Sequence, residues 1–432
     1  MLQSLLTTRS LASRRFRLFF WGRTVSLFGS GMTPVALAFA VLQAPHGSQL
    51  LGYILAAEIL PNVLIVLIGG SLADRYRRDR LIQLGNVGAG ATGAAIAALV
   101  LTGANPLALF PFAIANGALG AFTSPALRGI VPELVASDQL TEANALLNTA
   151  RSAAKIVGPA AAGLLVATVG GGWGIALDAL SFFVAAAFMA RVQIAARPPS
   201  AGVVSLRQQL REGWDYFRRQ RAIFVVTVAY AGINLANMGV WRVLGPIIAA
   251  RTFGPAAWGF ALSLQAVGLL AASLVLLRAV PQHPFRDGML AAAALGLPLV
   301  ALGQHPGLVV LYAAALAAGV GSTVAAVTWD TALQRSVPGD KLARVLAFGD
   351  VGSYITIPLA VIAAVPVADH WGLYPVATAG GVLLMVSALL PLADRTVRTT
   401  SLDQLSREAS TSPGVGTDLE TTAGQEGSSA PT

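Results

Sequence analysis

Gly70-Ser71-Leu72-Ala73-Asp74-Arg75-Tyr76-Arg77-Arg78-Asp79-Arg80 places a dense run of charge between two long apolar stretches, at 49–72 and 81–102. A helix that crosses a bilayer needs about 20 mainly apolar residues, and each flanking stretch is that long. The charged run therefore reads as a short loop at a membrane surface. Gly70 lets two helices approach closely. Asp74, at a helix end, can accept hydrogen bonds from the N-terminus of a facing helix, where the macrodipole favours an anion. Arg75 and Arg78 can pair with acids or with lipid phosphates. The run reads as a gate between helices or as a simple basic anchor on the cytoplasmic side.

The rest of the chain supports a membrane setting. Its 432 residues are 55% hydrophobic and only 11% charged, against about 25% in soluble proteins, and the mean hydropathy is +0.68. A net charge of +9 and a pI near 10.6 would suit nucleic acid. Here, however, the basic residues sit in short clusters between apolar runs, where membrane proteins keep their anchors, so no nucleic-acid partner is expected. With no cysteine, disulfides and thiolate chemistry are excluded.

Twelve spans are expected, near 17–43, 49–72, 81–102, 106–126, 143–169, 172–190, 223–249, 258–277, 287–303, 307–329, 345–367 and 371–392, the ninth interrupted by Pro298. The first follows Arg14, Arg15 and Arg17 but runs longer than the ~7–15-residue core of a signal peptide, so it reads as an uncleaved helix. With both termini cytoplasmic, Arg251 is the only basic residue in a loop placed outside. Arg14, Arg75, Arg78, Arg128, Arg197, Arg218, Arg286, Lys341 and Arg395 fall inside, as the positive-inside bias requires. The expected location is a bacterial inner membrane, with the lipid bilayer as partner and the chain as a monomer.

An internal repeat is visible. Ala126-Leu127-Arg128-Gly129-Ile130-Val131-Pro132 recurs, with changes, as Ala332-Leu333-Gln334-Arg335-Ser336-Val337-Pro338, an offset of 206 residues. The same offset carries the first span to the seventh and lands near the starts of the eighth and ninth. The fold class expected is all-α and integral to the membrane, about twelve helices in two pseudo-symmetric six-helix bundles. The halves would be 1–192 and 222–394. The linker at 193–221 would hold an amphipathic helix, with Leu206, Leu210, Trp214 and Phe217 on one face. Residues 395–432, rich in Ser, Thr and Gly, read as a disordered cytoplasmic tail.

The Gly70–Arg80 run resembles the loop between helices two and three of the major facilitator superfamily, which reads Gly-x-x-x-Asp-Arg followed by basic residues. Gly70, Asp74, Arg75 and Arg78 match, whereas Arg77 and Asp79 depart from the common pattern. The most similar branch contains enterobactin-exporter and macrolide-efflux-like proteins. The resemblance implies that Asp74 pairs with Arg128 and meets the start of the eleventh span when the cytoplasmic side is closed. The second half has Val280 where Asp74 would map, so the gate is asymmetric. In the fifth span, Gly158-Pro159-Ala160-Ala161-Ala162-Gly163 resembles the Gly-Pro-x-x-Gly-Gly signature of drug:proton antiporters, with Ala162 in place of one glycine. The other reading of Gly158, Pro159 and Gly163 is ordinary helix packing.

Charges within spans cost roughly 2.5–3.5 kcal/mol each on insertion scales and are functional by default. Glu58 lies mid-span and is the expected proton carrier, with Arg23 as a partner, or the two form a static ion pair. Asp178 is a second proton-coupling candidate for which a packing role is preferred. Asn234, Asn237, Trp241, Gln265 and Arg151 are the substrate-cavity candidates, each open to a packing role as well. These features point to a secondary exporter of a hydrophobic or amphipathic small molecule, such as a drug, natural product or siderophore. Alternating access would exchange it for protons, with no cofactor beyond the proton gradient. An importer or uniporter of the same fold, or a non-transporting membrane protein, is the alternative. No paired catalytic acids, His cluster or phosphate-binding loop marks an enzyme.

Overall fold

The computed structural model of the chain describes residues 9–73, 77–192, 214, 217–218, 220–278, 281–305, 307–337, 339–402 and 404. In hydrocarbon a backbone must satisfy its own polar groups, and a helix does so within one segment. The apolar runs accordingly fold into helices: α1 (Arg14–Leu42), α2 (Gly47–Ala73), α3 (Arg78–Leu101), α4 (Phe110–Gly129), α5 (Leu140–Val169) and α6 (Gly171–Met189). The second half comprises α7 (Arg221–Arg251), α8 (Gly254–Leu276), α9 (Pro284–Gln304), α10 (Leu308–Ser336), α11 and α12 (Leu373–Leu389). α11 consists of two segments, Gly339–Tyr354 and Thr356–Trp371. Eleven helices among the described residues are long and apolar enough to cross a membrane, and α2, with 27 residues, makes twelve.

Prolines explain where these helices depart from the expected spans. The ninth span tightens into a 3-10 turn at Ala293–Gly296, one turn before the expected break at Pro298, because that proline has no N–H for the carbonyl four residues back. The eleventh, expected unbroken over 345–367, divides at Ile355 for the same reason: Pro358 leaves the Tyr354 carbonyl without its helical donor. α7 contains a π-helical stretch, Asn237–Leu244, that nothing in the sequence pattern announced.

The two halves repeat each other in contacts and in turns. In the first, α1 packs on α5 and α6, α2 on α4, and α3 on α4 and α6. In the second, α7 packs on α11 and α12, α8 on α10, and α9 on α10 and α12. The α3–α4 and α9–α10 turns each use a glycine at positive φ, Gly103 (67°) and Gly307 (93°). The α5–α6 and α11–α12 turns do likewise, with Gly170 (94°) and Gly372 (90°). The main contacts between halves obey the same symmetry: α5 lies on α8, and α2 on the Thr356–Trp371 segment of α11.

Beyond α12 the ordered chain runs past the expected boundary at 394. Asp394 caps a short helix, Arg395–Thr399, accepting from the Thr396 N–H at 2.9 Å and from the Arg221 Nε at 2.6 Å. Its carboxyl is held below the usual carboxylate range by the Thr396 hydrogen bonds first and by Arg221 next. Val397 and Leu402 are buried beneath this segment. The tail from 405 onward lies outside the described residues, as does most of the linker. Trp214 and Phe217, from the linker's expected apolar face, stack on each other at 5.8 Å and pack against Phe348 of α11.

Candidate transport site

Midway along the bundle a cavity of about 450 Å³ is lined by α1, α2, α3, α4, α6 and α7. Glu58 of α2 faces it, half-buried, and accepts a hydrogen bond from the Asn116 Nδ2 of α4 at 3.1 Å. Arg242, from α7 of the other half, lines the same cavity, and its charge reaches Glu58. This is the cation that Glu58 faces. Arg23, the expected partner, lines the cavity too, but its electrostatic neighbour is Arg151. Asp178 of α6 borders the cavity and accepts from the Thr33 Oγ1 at 2.6 Å and from the Ser30 and Ser181 hydroxyls at 3.4 Å. It thus fastens α6 to α1 while lying close enough to Glu58 for their charges to interact.

A second chamber of about 340 Å³ lies between α1, α5, α7, α8 and α10. Asn237, Trp241 and Gln265 all line it, and the Trp241 Nε1 donates to the Gln265 Oε1 at 3.1 Å. The π-helical register brings Asn237, Trp241 and Arg242 to one side. With i→i+5 bonding, positions four and five apart share a face. The Trp258 ring lies tilted against that of Trp241, with centroids 4.6 Å apart. Asn234 does not join them. Its Nδ2 donates to the Ser353 carbonyl at 3.0 Å, next to the break in α11, where it serves packing. Arg151 lines a third space of about 440 Å³ with Arg23, Asn144 and Asn148.

Around these cavities the two ends of the bundle differ. At the end carrying Gly170 and Gly372 the halves close backbone to backbone. A Cβ on Gly163 would come 2.5 Å from the Pro255 carbonyl oxygen, and one on Gly259 would collide with that of Pro159. Gly158 meets Gly31 of α1 in the same way, at 2.6 Å. Gly158, Pro159 and Gly163 therefore form the seam of α5 against α1 and α8. The N–H of Ala160 donates across it to the Ser263 Oγ at 3.0 Å. At the arginine-rich end Gly70 lies in the last turns of α2, while Asp74 and Arg75 lie outside the described residues, and with them the expected contact to Arg128. Arg78 is anchored by two hydrogen bonds, to the Gly129 carbonyl at 2.6 Å and to Glu133 at 2.8 Å.

Residues 7–426 match a family model described as a transmembrane secretion effector. The chain belongs to this family of the major facilitator superfamily. Among curated relatives, the enterobactin exporter EntS of Shigella boydii serotype 4 (strain Sb227) is 30% identical over 173 residues, 39% of this chain and 41% of that protein. EntS of Escherichia coli O1:K1 / APEC matches over the same extent. The chain thus matches about two-fifths of the length of these relatives. Two solved structures share its fold. One is described as a bacterial metal transporter, with 17% identity, a TM-score of 0.61 and coverage of 88% of this chain and 99% of the other. The other is a bacterial homologue of the iron transporter ferroportin in an inward-facing state, with 16% identity, a TM-score of 0.63 and the same coverage.

Facilitator symmetry identifies a residue whose role the sequence comparison hid. A Cβ on Gly117 of α4 would strike the Glu58 carbonyl, and one on Gly319 of α10 would strike the Gln265 carbonyl in the same way. Gln265 thus makes against α10 the same kind of backbone approach that Glu58 makes against α4. The 206-residue offset points one position short, at Leu264. Two other partners, Arg242 and Glu133, lacked any signal beyond being charges with no obvious neighbour in sequence.

Proposed function

We propose that the chain is a secondary active exporter that moves a hydrophobic or amphipathic small molecule outward in exchange for protons. The observation that carries this reading is Glu58, a carboxyl inside the central cavity that faces Arg242 of the opposite half. When ionised, Glu58 attracts Arg242; when protonated, it does not. Proton binding would thus change how strongly one half holds the other, and a transporter that rocks its halves needs that differential interaction. Asp178, tied to Thr33, would hold the cavity wall and sense the same charge.

Export, rather than import, is supported by the antiporter-type seam at Gly158, Pro159 and Gly163 and by relatives named as enterobactin exporters. A siderophore, drug or natural product is the proposed cargo, with protons as the coupling ion, no cofactor and no nucleic acid. We place the chain as a monomer in a bacterial inner membrane with both termini cytoplasmic, following its arginine distribution. The metals named for the two structural neighbours are said of those proteins alone.

The test uses everted membrane vesicles, a dye that reports the pH gradient, and a panel of siderophores and antibiotics. A transported compound is expected to collapse the gradient with wild-type protein and not with Glu58→Gln. Efflux at the wild-type rate in Glu58→Gln would remove Glu58 from the mechanism. Transport that leaves the gradient intact would remove antiport.

A further inference from the structure

The three cavities adjoin one another through shared wall residues. The central cavity and the one toward the arginine-rich end share Arg23, Ser124 and Leu127. The central cavity and the tryptophan-lined chamber share Pro34, Leu55 and Arg242. Four cations line these cavities, namely Arg23, Arg151, Lys155 and Arg242, against two acids, Glu58 and Asp178.

The cations are placed, not scattered. Asn144, Asn148, Arg151 and Lys155 succeed one another at three- and four-residue steps, so they lie on one face of α5. All four are exposed, and each lines one of the cavities. Arg23 of α1 lines the cavity toward the arginine-rich end together with Arg151, near enough for the two charges to repel. Among the described residues neither forms an ion pair with an acid. Two like charges held together in a largely apolar bundle are costly unless something offsets them. The apolar wall beside them, Phe19, Leu27 and Leu147, fits the body of an amphipathic molecule.

We infer that Arg23 and Arg151 form a subsite for the anionic group of the transported molecule, a carboxylate, sulfonate or phosphate carried on an apolar body. Arginine suits this role because its fork presents paired donors to such groups. Asn144 and Asn148 supply further donors along the same helix face. The inference leans on the export reading only in calling the ligand a substrate. The binding itself requires no gradient and no proton coupling.

The test is equilibrium binding to the purified full chain in nanodiscs of zwitterionic lipid, with no pH gradient. Three probes of one shape are compared: naphthalene sulfonate, naphthalene methanol and naphthylmethyl ammonium. The sulfonate is expected to bind tightest. Arg151→Gln and Arg23→Gln should each weaken it about tenfold, the size of one lost charge-assisted hydrogen bond, and leave the alcohol unchanged. Arg151→Lys should recover part of the loss, which guards against a variant that merely misfolds. Equal binding of the three probes, or none, would overturn the proposal, as would preference for the ammonium or unchanged sulfonate affinity in both glutamine variants. Stoichiometric displacement of the sulfonate by added phosphatidylglycerol would overturn it in favour of a lipid headgroup. Because Glu58 is untouched, failure of proton exchange would leave these outcomes standing, and their failure would leave proton exchange standing.

Discussion

Gly259→Ala should push the transporter away from the conformation described here. The added methyl would lie 3.0 Å from the Pro159 carbonyl carbon and 3.1 Å from the Gly163 Cα, and closer still to the Pro159 oxygen. These neighbours are backbone atoms, which cannot swing aside as a side chain can. Overpacking of this kind costs about 1–3 kcal/mol. The cost falls only on the conformer in which α5 and α8 touch, so it appears as a change in the ratio of closed to open seam of about 5- to 150-fold. The chain has no cysteine of its own, so spin labels can be placed without background. Ser137→Cys and Arg335→Cys put one label on each half at the arginine-rich end. Pulsed electron resonance should then show weight moving from the longer to the shorter distance when Gly259→Ala is introduced. Gly268→Ala is the control. Its methyl would strike the Leu316 carbonyl within the second half, which loosens that bundle without favouring either arrangement of the halves. If the distance distribution in Gly259→Ala matches wild type, or if Gly268→Ala shifts it equally, the seam does not govern the exchange.

Asn234→Ala should lower stability by about 1 kcal/mol, the net worth of one hydrogen bond, and leave probe affinity in the tryptophan-lined chamber unchanged; thermal unfolding and binding, measured on the same sample, check both halves of this statement. Glu133→Gln removes the charge opposite Arg78 while keeping its shape, and the pair is partly exposed, at 29% and 21%. A loss of no more than about 1 kcal/mol is expected, smaller at high salt, read as a drop in melting temperature that shrinks as salt is added. The Asp394 carboxyl sits below its ordinary range, so its contribution is present above the unfolded value of about 3.9 and disappears as pH falls through the folded one. The protection of residues 396–402 against hydrogen exchange, taken relative to the intrinsic rate at each pH, should therefore hold from neutral pH down to about pH 4 and fall below it. A loss of protection that begins near neutral pH would refute the cap.

The helices and their order were legible in the sequence because a membrane span must be both long and apolar, and few other segments are. The repeat was legible where the chain conserved a spelled-out stretch, at Ala126–Pro132 and Ala332–Pro338. It blurred where small differences in length slid one half against the other, as where Gln265 rather than Leu264 approaches α10. Glu58, Asp178 and Arg23 could be singled out as charges in apolar runs, but sequence spacing holds no information on which charge meets which across two bundles. Arg242 comes to the Glu58 cavity from the π-helical stretch of α7, and Asn116 from α4. Asn234 looked equivalent to Asn237, three residues away. The change of helical register between them sends one to the chamber and the other to α11.

The pairing of Glu58 with Gln265 has a consequence for how such a machine arises. In the first half this position carries an acid, bonded by Asn116 in the central cavity, and in the second an amide, bonded by Trp241 in the other chamber. The amide has nearly the same shape and never ionises, so the second half already performs, in every molecule, the substitution an experimenter would make in the first. Of the two positions only Glu58 can change its charge, and Arg242 of the opposite half lines its cavity. Gln265→Glu would place a second ionisable group of the same shape in the other half, and proton flux measured beside that of the unaltered chain would show whether that half can take up a proton too.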